Sequence, residues 1–260
     1  MILQWTNANR SKLVDLFDTF KVGRRIIFPA LLQNRGNIWV DSIESPEVAR
    51  LQMSIINALA GDSAKSESEE IIKMINPHEL VFFSNPGWSD KIHDIWGNRV
   101  GIQKRTMMSP VTLNIDHLKG LVANLPEEFT LELIDLETTR NLNENMSMHI
   151  SMFFGSPEKF IDKGFGFCIK DGGEVVSMAS TFTPFIDEFE IEVRTSNSGE
   201  YRRKGLATIV SSALILYALE RGFIPHWDAA NDISVKLALK LGYSNPYPWE
   251  AFYLKKPEDP

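Results

Sequence analysis

A turn with three consecutive cations and a glycine lies between a strand pattern and a helix pattern, and this order constrains the chain more than any other feature. The segment Phe189-Glu190-Ile191-Glu192-Val193 alternates apolar and charged residues, as a half-buried strand does. After it comes Glu200-Tyr201-Arg202-Arg203-Lys204-Gly205-Leu206-Ala207-Thr208. Beyond that, Leu206, Ile209, Val210, Ala213, Leu214 and Tyr217 recur at the spacing of one helix face. A helix start exposes unpaired backbone N–H groups and the positive end of its dipole, so cations placed there suit a phosphate or pyrophosphate. Gly205 lets the backbone come close to an anion, and the small Ala207 keeps the next turn open. A solvated helix start is the commoner fate of such a cation run, but the strand before it and the helix after it favour an anion site.

Downstream residues give this turn its context. Residues 224–229, Ile-Pro-His-Trp-Asp-Ala, read as a short strand. Asn231 then caps a helix with Leu237, Ala238 and Leu241 inward, Lys240 near its end and Gly242 as its stop. Arg202-x-x-Gly205-x-Ala207 resembles the coenzyme A pyrophosphate loop of the GNAT N-acetyltransferases. The segment from Trp227 and Asp228 through Asn231, Ser234, Ala238 and Lys240 to Leu241-Gly242-Tyr243 resembles that family's second signature. The subgroup it most resembles is the zwittermicin-resistance-like GNAT acetyltransferases. Phe160 to Cys168, with Gly164 and Gly166, and Val176-Ser177 fit the same subgroup. The resemblance covers residues 160–245 and thins before about residue 125.

Composition fits an intracellular enzyme. The 260 residues could form one large domain or two small ones, and 43% apolar residues supply ample core. Cys168 is the single cysteine, which excludes an internal disulfide and fits a reducing, cytoplasmic setting. The N-terminal residues lack a charged stretch followed by an apolar core, so no secretion signal is expected, and no apolar run is long enough to cross a bilayer. A net charge of −7 argues against nucleic acid as the partner.

Two domains are expected, 1–125 and 126–260. In the first, residues 11–20 form an amphipathic helix through Leu13, Leu16, Phe17 and Phe20. Ile38-Trp39-Val40 and Leu80 to Phe83 are buried strands, and Ala49 to Ala60 is a helix stopped by Gly61. The polar run from Ala64 leads into a helix over Glu69–Ile75. Another helix is expected over Trp88–Trp96, with a strand from Val100 to Met108. The alternation indicates an α/β domain, a candidate degenerate copy of the second half. Val22-Gly23-Arg24-Arg25 has the composition of the cationic turn without a strand ahead of it. This half is expected to contribute to the acceptor site or to an oligomer contact, with a homodimer as the candidate assembly.

A helix over Asp116–Asn124 connects to the second half, which opens with an alternating strand, Leu131 to Leu136. Helices follow around 139–152 and 156–163, then strands Phe165–Ile169 and Val175–Phe182 around the hairpin signal Asp171-Gly172-Gly173. A strand at 188–194 leads to the cationic turn, and Trp249–Leu254 is the last strand. The resemblance implies an α+β GNAT fold with a mixed, mostly antiparallel sheet.

It also implies acetyl-coenzyme A as the acetyl donor and direct attack on its thioester by an amine. The chain must then deliver a neutral amine, stabilise the oxyanion and protonate the thiolate. An ammonium with pKa about 10.4 is neutral in only about one part in two thousand at pH 7, so a nearby base helps. The family's strand before the loop splays from the next strand. The carry-over therefore assigns backbone groups of Val193, Arg194 and Thr195 to the pantetheine arm and the oxyanion. It assigns Arg202, Arg203, Lys204, Gly205, Leu206, Ala207 and Thr208 to the pyrophosphate, with Asn231 and Ser234 near the cofactor arm. Glu190 and Glu192 share one strand face, and either could be the base; Glu192, closer to the loop, is preferred. The same alternation is routine in a strand with one wet face, and both readings stay open. Asp228 could bind a cationic acceptor or act as the base. His226 is expected opposite Trp227 in a packing or hydrogen-bonding role, while Trp227 could line the acceptor groove.

One position departs from the family pattern. A tyrosine commonly stands four residues before the glycine that ends the second helix, but here that position is Ala238. Spacing does not assign Tyr243 or Tyr247 as the acid, Ser234, one turn before Ala238 on the same side, is a candidate, and the acid stays open. No Gly-Lys-Ser/Thr follows the turn, no histidines or cysteine stand at metal-ligand spacing, and Cys168 lies in an apolar strand. The expected function is N-acetyl transfer to a primary amine of a small molecule. The alternatives are a peptide or protein acceptor, or a catalytically silent acyl-coenzyme A sensor.

Overall fold

The computed structural model describes residues 1–7 and 9–259. They form two compact units, one of residues 1–104 with 249–260 and the other of residues 105–248. The boundary expected at 125/126 therefore falls inside the second unit. The chain leaves the first unit within one strand and returns within another.

In the first unit, β1 (Leu3–Gln4) is followed by α1 (Ser11–Phe17) and α2 (Arg24–Leu32), then β2 (Asn37–Val40), β3 (Val48–Met53) and β4 (Ile56–Gly61). Next come α3 (Ser66–Lys73), β5 (Leu80–Phe83), α4 (Gly87–Trp96) and β6 (Val100–Ser109). Neighbours run antiparallel from β1 to β4, whereas β4 and β5 run parallel. The second unit follows a similar order, with three helices rather than two after its first strand. Beyond α5 (Ile115–Val122) come β7 (Phe129–Leu133), α6 (Leu136–Arg140), α7 (Glu144–His149) and α8 (Pro157–Lys163). Then follow β8 (Gly166–Asp171), β9 (Glu174–Thr181), β10 (Glu188–Thr195), α9 (Leu206–Leu219), β11 (Ile224–Ala229), α10 (Asp232–Leu241) and β12 (Ser244–Leu254). Within this unit the sheet order is β6-β11-β10-β9-β8-β7, with β10 and β11 parallel and each of the other neighbouring pairs antiparallel. The expected mixed, mostly antiparallel sheet is present.

Several elements differ from the sequence reading. Ala49–Ala60 is not a helix: β3 and β4 form a hairpin that pairs Met53 with Ile56 around Ser54, whose φ is +51°. Three alanines suggest helix, but both strand faces are buried, so the alternation that marks a strand is missing. The helix expected from Glu69 starts at Ser66. α2 was not anticipated, because Pro29 lies inside it. The strand expected to reach Leu136 ends at Leu133, since Asp135 accepts the Thr138 N–H at 2.7 Å and caps α6. The single helix expected over 139–152 is broken: α7 ends at His149 and a π-helical turn continues to Phe154. β12 begins at Ser244, five residues before the expected Trp249, because Pro246 and Pro248 disguised its start.

Between β8 and β9, Gly172 and Gly173 stand at φ +54° and +95°, as a two-residue hairpin requires. The core of the second unit is built on α9. Leu206, Ile209, Val210, Leu214 and Ala218 pack on Phe189, Ile169, Val176 and Ala179 of the sheet. Ile215 joins a second cluster with Leu118, Trp227, Ala238, Leu241 and Tyr243. A helix apolar all round is a buried helix. Burial fixes where the residues before its first turn must lie.

Candidate active site

The parallel register between β10 and β11 sets up the site. It runs Glu188 with Ile224, Phe189 with Pro225 and Glu190 with His226, and goes no further. β10 continues to Thr195 and β11 to Ala229, so the strands part beyond Glu190. Past that point β10 pairs only on its other side, Val193 with Ala179, Arg194 with Met178 and Thr195 with Ser177 of β9. The backbone edge of Val193, Arg194 and Thr195 facing β11 lies on this gap. The Ser177 and Thr195 hydroxyls meet at 2.9 Å and tie the end of β10 to β9.

The cationic turn follows the open end of β10. Gly199–Tyr201 forms a short 3-10 turn, and the Tyr201 hydroxyl donates to Asp171 Oδ2 at 3.1 Å, holding the loop to the β8–β9 hairpin. Arg203 and Gly205 have φ of +62° and +79°. Successive left-handed and right-handed residues turn backbone N–H groups toward a common point, an arrangement that binds anions. α9 begins at Leu206 with no side-chain cap and no acid in its first turn. A Cβ built on Gly205 would meet nothing within 4 Å. Arg202 and Arg203 are exposed, while Lys204 lies 3.6 Å from Glu128 and over the Phe129 ring. Leu206 is core, whereas Ala207 is only half-buried, so the small residue faces the open side.

Strand alternation places the carboxylates together on the sheet face away from α9. Phe189 packs into the α9 core with Ile191 and Val193, which puts Glu188, Glu190, Glu192 and Arg194 on the opposite face. His226 and Asp228 share that face from β11. Glu192 accepts from Arg194 Nε at 2.6 Å, and Arg194 also reaches Asn145 Oδ1 of α7 at 3.4 Å. Burial raises the Glu192 carboxyl above its ordinary value, with Arg194 and Arg105 opposing. Glu190 is buried beside His226. His226 Nε2 lies 2.8 Å from Glu188 Oε2. Asp228 Oδ2 accepts from Arg105 Nε at 2.9 Å, and Arg105 also donates to the Asp228 carbonyl.

α10 starts at the end of β11. Asn231 Oδ1 accepts the Ser234 N–H at 3.0 Å, as expected of a cap. Ser234 Oγ accepts from Trp227 Nε1 at 2.9 Å. Trp227 is buried against Tyr243 in the core, so it does not line an acceptor groove. Tyr243 is unsuited to be the acid, because its hydroxyl donates to the Pro225 carbonyl and burial with Glu190 holds its pKa well above the usual range. Tyr247 lies in the exposed start of β12. Cys168 is buried, and burial pushes its thiol up to about 11. Among the described residues, no group of three or more histidines, cysteines and carboxylates is placed to hold a metal ion.

The sequence reading missed Arg105, Asn145, His149 and Ser180 around this face. Arg105 is 123 residues from its partner Asp228, too far for any local pattern. His149 Nε2 meets Ser180 Oγ at 2.9 Å, and burial together with Arg194 holds its pKa at about 3. Its position on a broken helix hid its face from the sequence.

A parted parallel strand pair, an uncapped helix start with an open glycine, and carboxylates on the facing strands together define an acyltransferase architecture. A family model for GNAT acetyltransferase matches residues 15–252, and the chain belongs to that family. It is similar to YdfB, an uncharacterized N-acetyltransferase of Bacillus subtilis (strain 168), with 30% identity over 97% of this chain and 98% of that one. It is also similar to the crystal structure of a GCN5-related N-acetyltransferase-like protein from Streptococcus suis 89/1591, with 31% identity, a TM-score of 0.80, and coverage of 95% of this chain and 98% of the other. A tandem GNAT protein from the clavulanic acid biosynthesis pathway aligns over 100% of both chains at 12% identity and a TM-score of 0.59, a likeness of fold alone. The chain is an N-acetyltransferase, of a family whose members use acetyl-coenzyme A as cosubstrate.

Proposed function

We propose that this chain transfers an acetyl group from acetyl-coenzyme A to a primary amine of a small molecule, and that it falls in the zwittermicin-resistance-like subgroup. The end of the β10–β11 register at Glu190 and His226 carries the reading, because it leaves a gap between two strands directly before an uncapped cationic helix start. Acetyl-coenzyme A supplies the activated thioester. Arg202, Arg203 and the first N–H groups of α9, from Leu206 to Thr208, would hold its pyrophosphate, with Gly205 giving close approach. Backbone groups of Val193 to Thr195 face the pantetheine arm.

Glu192 is the base in this scheme. Its raised pKa moves it toward the range in which a carboxylate accepts a proton effectively near neutral pH. It takes one proton from the acceptor ammonium. The freed amine nitrogen bonds to the acetyl carbon, the carbon–sulfur bond breaks, the nitrogen loses its second proton to water, and the thiolate takes a proton from water. Ala238 lies in the core and the Tyr243 hydroxyl is committed to Pro225, so water is taken as the acid for the thiolate in this scheme. Asp228, held by Arg105, orients the acceptor.

The test is release of free thiol from acetyl-coenzyme A against aminated antibiotics, polyamines, amino acids and short peptides, alongside calorimetry of coenzyme A binding. Amine-dependent release is expected. Gly205→Glu is expected to abolish coenzyme A binding while the circular dichroism spectrum is retained. Binding that survives this substitution would refute the loop assignment.

A further inference from the structure

Two ion pairs stand on either side of the gap between β10 and β11, both on the sheet face away from α9. On β10, Arg194 Nε donates to Glu192 at 2.6 Å. On β11, Asp228 takes Arg105 Nε from β6 at 2.9 Å. All four side chains are largely withdrawn from water, with exposures of 16 to 29%. The pairs also sense one another, since Arg105 acts on the Glu192 carboxyl from across the gap.

A site built only to grip an amine would not need these arginines. Withdrawing an ion from water is costly even after relaxation. Each guanidinium also cancels a carboxylate that a cationic acceptor would use. The particular capacity of a guanidinium is a planar fork of donors that matches a carboxylate or phosphate. Both signs therefore stand on each side of the gap, Glu192 with Arg194 and Asp228 with Arg105, and a ligand lying there meets both.

Resting on the acyl-transfer reading above, we infer that the acceptor is a zwitterion, an amino acid or a compound like one, whose amine lies at Glu192 and whose carboxylate lies at Arg105. Such a ligand offers an acceptor to a guanidinium as well as a cation to a carboxylate, and brings no net charge. A simple amine brings one positive charge beside two guanidiniums and offers them no acceptor. A polyamine brings several, and like charges held close in a poorly hydrated site repel strongly.

The decisive comparison uses the intact wild-type chain. Initial rates of thiol release are measured with the common α-amino acids, their carboxamides and their decarboxylated amines, at equal concentrations of neutral amine. For the best amino acid, kcat/KM is expected to exceed that of its carboxamide by at least about tenfold, as when a site built to bind a polar group meets an analogue without it. Arg105→Gln is expected to bring that ratio within about threefold by raising KM for the acid, and Arg105→Lys to restore part of it, because a point charge replaces a fork. Carboxamides or simple amines used as well as the acids by the wild type would overturn the inference and leave acyl transfer standing. A preference that survives Arg105→Gln would overturn the place given to Arg105. No release from any amine would overturn the transfer reading itself.

Discussion

At Glu192 the competing effects can be ordered. Burial is the largest influence and raises its carboxyl pKa, while Arg194 at 2.6 Å and the more distant Arg105 pull it down without cancelling the rise. As the base, Glu192 must lose its proton, so activity is expected to rise with pH through a value above the ordinary glutamate range. Glu192→Gln is expected to lower kcat by about 10²- to 10⁴-fold and to remove that acidic limb from the pH–rate profile. An unchanged limb would move the role to Glu190. His149 shifts the other way. Its folded pKa, at about 3, lies below the ordinary 6.5, so the native state binds fewer protons than the unfolded chain between those values. The stability it contributes is complete above pH 6.5 and is lost as pH falls toward 3, by roughly 1.4 kcal/mol per pH unit. Melting temperature followed from pH 7.5 to 4.5 should show this slope, and His149→Gln should flatten it. A slope that persists in the variant would assign the effect to other groups.

At the scale of elements, α9 carries both the core and the site. Its first residue, Leu206, packs into the core one position after Gly205, so the cationic turn is held by burial of the helix behind it. Leu214→Ala removes a fully buried side chain at the middle of α9 and is expected to cost about 2–5 kcal/mol, read as a lowered midpoint in urea with an unchanged slope. Below that midpoint coenzyme A should still bind, because the turn lies two helical turns away; a binding defect without unfolding would mean the loop is less independent than the packing indicates. The elements around α9 were largely legible in the sequence. β8, β9, β10 and β11 each had an alternating or bounded apolar run, Gly172-Gly173 marked a hairpin, and Asn231 and Gly242 marked the two ends of α10. Less was legible where burial removed the contrast. The β3–β4 hairpin is buried on both faces and so read as a helix. Pro29 and Pro246 stand in elements that local preference argues against. In such places tertiary burial outweighs a propensity of less than about 1 kcal/mol for an ordinary residue and about 3 kcal/mol for a proline inside a helix.

At the scale of the whole molecule, a similar order of elements occurs in both units, but the parted strand pair followed by an uncapped cationic helix start belongs to the second. In the first unit β4 and β5 stay paired through Leu59 and Phe83, with a further bond from Ser84 N to the Leu59 carbonyl, so these strands do not part. The helix that follows, α3, carries Glu67 and Glu69 in its first turn, where an acid opposes a phosphate. Calorimetry is therefore expected to return one coenzyme A per chain, and a stoichiometry of two would refute the contrast drawn between the two units. The sequence alone determined the cationic turn, the strand and helix beside it, the caps and the family resemblance. All of these depend on residues close in the chain, where spacing and backbone preference suffice. Only the tertiary structure decided that β10 and β11 part beyond Glu190, that Trp227 and Tyr243 belong to the core, and that Arg105 stands on Asp228. Those outcomes depend on register between strands and on pairings across more than a hundred residues, which no local periodicity encodes.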